Sequence, residues 1–194
     1  MNYLAHAYLS GKDDDILVGN FIADGVKGKA IDNYSGNIKK GIMLHRAIDH
    51  FTDHHPVQRA SRLRLHERYS HYSGVLVDIF YDHYLAKNWS EYSKEPLEEF
   101  TGKVYQLLVD HRDIIPERIN YMLNFMIPQN WLLNYAKLEG IERVLNGMAN
   151  RTQFDSHMEH GVEDLKQHYS EFEFEFREFF PDLINFSKEK IISL

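Results

Sequence analysis

The stretch that decides the fold is residues 38–53, which read IKKGIMLHRAIDHFTD. Its apolar residues recur every three or four positions, as in a helix that buries one face. Because a helix turns by about 100° per residue, His45, Asp49 and Asp53 fall within about 80° of one another, on the side of Ile42. An ionised carboxylate on an inward face is costly unless it is paired or bound to a metal. The stretch therefore predicts a helix that turns polar groups inward.

A second stretch, residues 74–85, repeats this anomaly in the sequence GVLVDIFYDHYL. It is apolar on almost every side, which is typical of a buried helix. Asp78 and Asp82 are one turn apart and share a face, so both carboxylates are expected in the interior. His83 points about 100° away from Asp82 and is a weaker member of the set.

Helical periodicity continues along the rest of the chain, and no stretch has a convincing strand pattern. The last predicted helix contains an alternating stretch, residues 171–176, but has helical pattern on both sides. No linker rich in glycine and serine divides the sequence, so we expect one all-α domain over residues 1–194. The predicted helices cover residues 2–10, 14–25, 36–54, 57–70, 74–88, 96–112, 117–126, 129–137, 140–150 and 155–180.

The composition is that of a globular protein, with 43% hydrophobic and 26% charged residues. No segment approaches the roughly 18 apolar residues that span a membrane, and the first residues lack the pattern of a signal peptide. The absence of cysteine excludes disulfides, thiolate metal sites and a cysteine nucleophile. No nucleic-acid motif is present. We therefore expect a soluble cytoplasmic protein that binds neither membrane nor nucleic acid.

Charge is distributed unevenly along the chain. The formal net charge is −7, yet residues 27–68 hold nine basic side chains against four acidic ones. Such asymmetry often indicates a face for a charged partner. The alternative is that the four arginines of residues 59–68 are only the solvated side of a helix. The sequence leaves both interpretations open.

The inward acids and histidines are candidates for a metal site. Asp24 ends the predicted helix 14–25 and is a third acid, and His6 is a further contributor from the first helix. Imidazole with several carboxylates suits Mn²⁺, Mg²⁺ or Fe²⁺. Such an ion lowers the pKa of bound water from about 15.7 towards 7 and polarises a phosphoryl oxygen. The predicted metal ligands and catalytic residues are Asp24, His45, Asp49, Asp78 and Asp82, with His6 and His83 as second choices. The alternative is buried ion pairs with Arg46 or Lys27.

Several segments, taken in order and spacing, resemble one known family, the acyl carrier protein phosphodiesterases. The resemblance covers nearly the whole chain. The matching segments are MNYLAH at residues 1–6, GNFIAD at 19–24, HRAID at 45–49 with Thr52 and Asp53, DIFYDHYL at 78–85 with Trp89, and VLNGMA at 144–149 with Arg151.

The resemblance implies an all-helical fold distantly similar to the HD-domain phosphohydrolases. It also implies Mn²⁺-dependent hydrolysis of holo-acyl carrier protein to the apo form and 4′-phosphopantetheine. Arg46 or Lys27 would then bind the substrate by neutralising oxygens of the phosphodiester, and the partner would be a small acidic carrier protein.

Three other functions remain open from the residues alone. The chain could be a phosphohydrolase of the same scaffold that acts on a nucleotide or another small phosphoester. It could be a non-catalytic module that binds carrier protein without cleaving it, in which case no metal is required. The third alternative is a helical interaction protein whose buried acids are salt-bridged.

Overall fold

The computed structural model describes residues 1–152 and 155–194, and this part of the chain is mainly helical, without a strand. No helix in it is long and apolar enough to cross a bilayer. The α-helices are α1 (Tyr3–Leu9), α2 (Asp14–Ile22), α3 (Gly36–His54), α4 (Pro56–Tyr69), α5 (Ser73–Lys87), α6 (Trp89–Tyr92), α7 (Leu97–Asp110), α8 (Glu117–Met126), α9 (Trp131–Asn134), α10 (Leu138–Ala149), α11 (Gly161–Gln167) and α12 (Tyr169–Ser193).

The all-α prediction is confirmed, and the largest difference lies near the C-terminal end. The single predicted helix 155–180 is wrong, because the backbone leaves helical geometry at His168, with φ −115° and ψ 33°, between α11 and α12. The alternating stretch 171–176 is helical as predicted, and lies in α12. Phe172 and Phe176, one turn apart, are buried there, whereas Phe174 is 69% exposed.

Helix α5 lies at the centre of the hydrophobic core. Its residues 79–86 are all buried, which matches its apolar sequence. Aromatic rings of α12 pack on it edge to face, with 5.3 Å between the ring centroids of Phe80 and Phe172 and 5.7 Å between those of Tyr81 and Phe176. The buried apolar side chains form one contiguous cluster that joins α5 and α12 to the N-terminal helices.

Helices α2 and α3 approach so closely that their backbones touch. A Cβ atom added at Gly19 would lie 2.1 Å from the carbonyl oxygen of Ile38, and one added at Gly41 would lie 2.2 Å from that of Ile16. Only glycine leaves room for such an approach. The contact brings the C-terminal end of α2 and the turn Ala23–Gly25 against the middle of α3, where the predicted site residues are.

Asp82 joins α5 to the start of α1. Its Oδ2 accepts a hydrogen bond of 2.8 Å from the Leu4 backbone N–H, and its Oδ1 accepts one of 3.2 Å from that of Asn2. The sequence predicts Asp82 as a metal ligand, but the structure places its carboxylate at the N-terminal end of this short helix. The physical reason is that the first N–H groups of a helix have no partner within it and carry partial positive charge.

We predict that Gly19→Ala and Gly41→Ala each lower the free energy of unfolding by about 3 kcal/mol or more, the upper end of the cost of overpacking. The added methyl group would force the backbones of α2 and α3 apart. Urea denaturation measures the loss. The matched control is Gly102→Ala in α7, where a Cβ meets no atom within 4 Å. This change should be neutral or stabilise by up to about 1 kcal/mol, through helix propensity. Equal stability of all three variants would contradict the close contact.

Asp82 also predicts a pH dependence of stability. Burial raises the pKa of Asp82 to about 7, although the amino group of Met1 and the N–H groups of α1 act in the opposite direction. Above pH of about 4 the unfolded chain releases a proton that the folded chain keeps. This group therefore makes the free energy of unfolding fall as the pH rises from about 4 to about 7. Asp82→Asn should show a shallower fall in urea denaturation, and an unchanged slope would contradict the assignment.

Candidate metal centre and its cleft

Two buried histidines from different helices form the centre of the candidate site. His6 of α1 is 2% exposed and His45 of α3 is 6% exposed. Their rings stack with centroids 4.0 Å apart and an interplanar angle of 20°. The sequence gives His6 only as a second choice, but the structure brings it directly beside His45.

Asn20 of α2 holds both imidazole rings. Nδ1 of His45 lies 2.8 Å from the backbone oxygen of Asn20, and Nδ1 of His6 lies 2.8 Å from its side-chain Oδ1. The Asn20 amide nitrogen donates to the backbone oxygen of His6 and to Ser10 Oγ, so its Oδ1 faces His6 as an acceptor. Both histidines therefore donate through Nδ1 and leave Nε2 as the outward atom. Metal-binding histidines are oriented by hydrogen bonds of this kind.

Two carboxylates lie close to the Nε2 atoms of these histidines. Asp49, one turn after His45 in α3, places Oδ2 3.1 Å from Nε2 of His45 and Oδ1 3.2 Å from Nε2 of His6. Asp24, in the turn after α2, lies 3.3 Å from Nε2 of His45. His6, His45 and Asp49 offer ligand atoms that all lie within 4.8 Å of one another. One other such group occurs in the described part of the chain, and all three of its residues are exposed: Asp155, His157 and Glu159.

The protonation of this cluster follows from its burial and charges. Burial, with the neighbouring His45, lowers the pKa of His6 to about 4. Burial also acts to lower the pKa of His45, but hydrogen bonds with Asp24 and Asp49 outweigh it and raise this pKa to about 9. For Asp49, burial acts to raise the pKa, and the two imidazoles hold it below the usual value. At neutral pH His6 is therefore neutral, whereas His45 carries a proton between two carboxylates.

The neutral His6 leaves one polar atom without a hydrogen bond. Its buried Nε2 has no hydrogen-bond partner, although Asp49 Oδ1 is only 3.2 Å away. Because Nδ1 carries the proton, a nitrogen lone pair faces a carboxylate oxygen, which is repulsive unless a cation lies between them. Imidazole and carboxylate together are ligands that divalent transition metals accept. This arrangement of ligand atoms is therefore more favourable with a divalent ion bound than without one.

Three other predicted ligands lie outside this cluster. Asp78 lies 3.0 Å from the amino group of Met1 and accepts a 2.8 Å hydrogen bond from Gln58, and burial raises its pKa. His83 has Nδ1 2.7 Å from the Tyr135 backbone oxygen and Nε2 2.7 Å from the Tyr169 hydroxyl. The contacts of Asp82 with α1 are described above. The structure thus brings together Asp24, His45, Asp49 and His6.

The two cations predicted to bind substrate also lie elsewhere. Arg46 donates to the backbone oxygen of Val26 at 3.1 Å, and the side chain of Lys27 is exposed. Neither of them lines the cleft beside the cluster. In the described chain neither Arg46 nor Lys27 lies within 4.0 Å of a carboxylate. The predicted acids are therefore not neutralised by ion pairs with these two residues, and Asp24 and Asp49 face the two histidines instead.

The basic face of α4 is largely neutralised within the chain. Arg62 pairs with Asp53 at 3.1 Å, Arg64 with Glu175 at 2.7 Å and Arg68 with Asp164 at 2.8 Å. Arg59 and Arg68 are exposed, as the interpretation of a solvated helix side expects, whereas Arg62 and Arg64 are partly buried. Asp53, predicted to point inward, is exposed and takes part in the first of the pairs.

A cleft of about 790 Å³ opens beside the metal-ligand cluster. Asp24, His45, Asp49 and Asp78 belong to its lining, and α8, α9 and α10 supply much of the rest. The arginines of this cleft are Arg118 and Arg151. Arg118 comes from an exposed helix position without any distinguishing pattern, so sequence reasoning missed it. Arg151 and Asn20 stand in the quoted motifs, but no pattern in the sequence indicates their roles.

The fold and the site can now be compared with known proteins. The family model for acyl carrier protein phosphodiesterase matches residues 1–183. No solved structure matches the chain, so the likeness to HD-domain phosphohydrolases stays a prediction.

Relatives named acyl carrier protein phosphodiesterase are similar over nearly their full length. The protein of Serratia proteamaculans is 32% identical, covering 98% of this chain and 99% of the relative. That of Photorhabdus laumondii is 34% identical, with 98% and 96% covered. That of Yersinia enterocolitica is 33% identical, with 99% and 100% covered. The helical chain that carries this cluster therefore belongs to the acyl carrier protein phosphodiesterases, a family of phosphodiester hydrolases.

Proposed function

We propose that this protein hydrolyses the phosphodiester that links 4′-phosphopantetheine to acyl carrier protein, and that it requires a divalent metal ion. The products are apo-acyl carrier protein and 4′-phosphopantetheine. The observation that carries this proposal is the pair of buried imidazoles whose Nε2 atoms converge on Asp49. Family membership supplies the carrier protein as the partner.

The proposed ligands are His6, His45, Asp49 and Asp24, and the proposed ion is Mn²⁺, with Mg²⁺ or Fe²⁺ as alternatives. When bound, such an ion polarises a phosphoryl oxygen and lowers the pKa of a bound water towards 7. Asn20 positions both imidazoles through its backbone and side-chain oxygens. Asp49 faces both Nε2 atoms, so its charge offsets that of the ion. Asp78 lines the same cleft outside this ligand set.

The other functions left open by the sequence are less well supported. The carboxylate–imidazole cluster lines an open cleft rather than forming salt bridges with lysine or arginine, which argues against a purely structural role for the acids. A binding module without catalysis has no need of two imidazoles oriented in this way. Action on a nucleotide stays an alternative that the cleavage experiment below separates. A cytoplasmic location stays a prediction.

We predict that wild-type protein binds Mn²⁺ in calorimetric titration, and that His45→Ala and Asp49→Ala abolish most of this binding because they remove ligands. Asn20→Ala should weaken affinity by roughly 10–100-fold, since it frees both rings. The matched control is His50→Gln, an exposed position on α3 beside Asp49. The metal centre would be refuted by equal affinity in His45→Ala, Asp49→Ala and His50→Gln.

The activity itself is tested by the mass of a purified holo-acyl carrier protein before and after incubation with the enzyme and Mn²⁺. We expect the loss of one phosphopantetheinyl group, and no loss with Asp49→Ala or with a chelator present. The His50→Gln control should cleave normally. Intact holo-carrier protein together with hydrolysis of a nucleotide would contradict the proposed substrate and favour the phosphohydrolase alternative.

A further inference from the structure

The cleft beyond the metal-ligand cluster differs in character from the cluster itself. Four carboxylates line the cleft, those of Asp24, Asp49, Asp53 and Asp78. The lining from α8 and from the end of α10 instead carries two exposed arginines, Arg118 and Arg151. Neither arginine lies within 4.0 Å of a carboxylate in residues 1–152 and 155–194, unlike three of the four arginines of α4. Their charge is therefore available to an anionic ligand.

Tyr3 lines the cleft together with Asp24, Arg118 and Arg151, so the two arginines share one cavity with a carboxylate of the metal-ligand cluster. Burial and then the charge of Asp24 raise the pKa of Tyr3, whereas the charges of Arg118 and Arg151 act to lower it. The charges of Asp24 and of both arginines therefore act on the same phenol group. A phosphate next to the cluster would lie within the field of the two guanidinium groups, which are well suited to bind its oxygens.

The remaining wall of the cleft is apolar and open to solvent. Met122, Trp131 and Met148 line it, are only partly buried, and pack against the hydrophobic core. The Trp131 indole N–H already donates to Gln129 Oε1 at 3.0 Å, so the ring offers its apolar surface to the cleft. Methionine side chains adapt their shape to flexible aliphatic ligands. A cleft with this lining suits an uncharged flexible chain attached to an anion.

We infer that this part of the cleft binds the phosphopantetheine arm of the substrate. Arg118 and Arg151 hold the phosphate, and Met122, Trp131 and Met148 contact the aliphatic portion of the pantetheine. The inference rests on the proposed function, and it replaces Lys27 and Arg46 with two cations that line the cleft. It makes the arm, in addition to the carrier protein, a determinant of specificity.

Binding can be followed without catalysis through tryptophan fluorescence. The chain has two tryptophans, and Trp89 is 5% exposed in the core, so an emission change on adding free 4′-phosphopantetheine reports on Trp131. We expect saturable binding, and a loss of affinity of about tenfold or more in Arg118→Gln and Arg151→Gln, as for charge-assisted hydrogen bonds. The matched control is Arg143→Gln on α10, outside this cleft. Absence of any emission change in wild type, or equal affinity in all variants, would overturn the inference.

Kinetics with two substrates distinguish contacts with the pantetheine arm from contacts with the phosphodiester. Trp131→Ala and Met148→Ala should raise KM for holo-acyl carrier protein about tenfold, and lower kcat/KM for this substrate more than for bis(4-nitrophenyl) phosphate, because the small ester has no pantetheine arm. Arg143→Gln, outside the cleft, should leave the hydrolysis of both esters unchanged. An equal loss on both esters would overturn the assignment of the apolar wall. Wild type that binds 4′-phosphopantetheine but hydrolyses neither ester would support the arm site and refute the proposed function. Different results would therefore refute the arm-binding site and the proposed hydrolytic function.

Discussion

The contact between the backbones of α2 and α3 is the constraint on which the rest of the site depends. With glycine at positions 19 and 41, no side chain separates the two helices. Asn20, which follows the first of these glycines, then reaches the imidazole of His45 with its carbonyl oxygen. A wider spacing between the helices would move Asn20 and Asp24 away from α3 together. The geometry of the cluster is thus set by packing of main chain rather than by the ligands themselves.

Asn20 links the two histidines in a way that a single hydrogen bond could not. Its backbone oxygen fixes the ring of His45 on α3, and its side-chain oxygen fixes that of His6 on α1. One residue therefore determines the direction of Nε2 on both rings. Its own amide is oriented by Ser10 and by the backbone of His6, so both rings are oriented before any ligand binds. Preorganised ligands of this kind lose little entropy when a metal is bound.

The sequence predicts much of the fold because apolar periodicity is a local property. It also predicts that His45 and Asp49 share an inward face, since both lie on one helix. It does not predict the role of Asn20 or Arg118, because these depend on how separate helices meet. For Asp82, the sequence predicts the burial but not the partner. Its burial is predictable from α5 alone, but whether a buried carboxylate meets a metal or the N–H groups of a helix depends on the neighbouring element.

The shortness of α1 has a consequence for how the centre assembles. A helix of seven residues is unstable in isolation, so α1 stays folded through its anchor on Asp82 and its packing on α2 and α5. Local opening of this turn would carry His6 away and leave the ion with fewer protein ligands. By mass action, an ion bound in the closed form would in turn oppose the opening. Amide hydrogens of the first helix would then exchange with solvent more slowly in the loaded protein, and ligand occupancy would be coupled to order at the N-terminal end of the described chain.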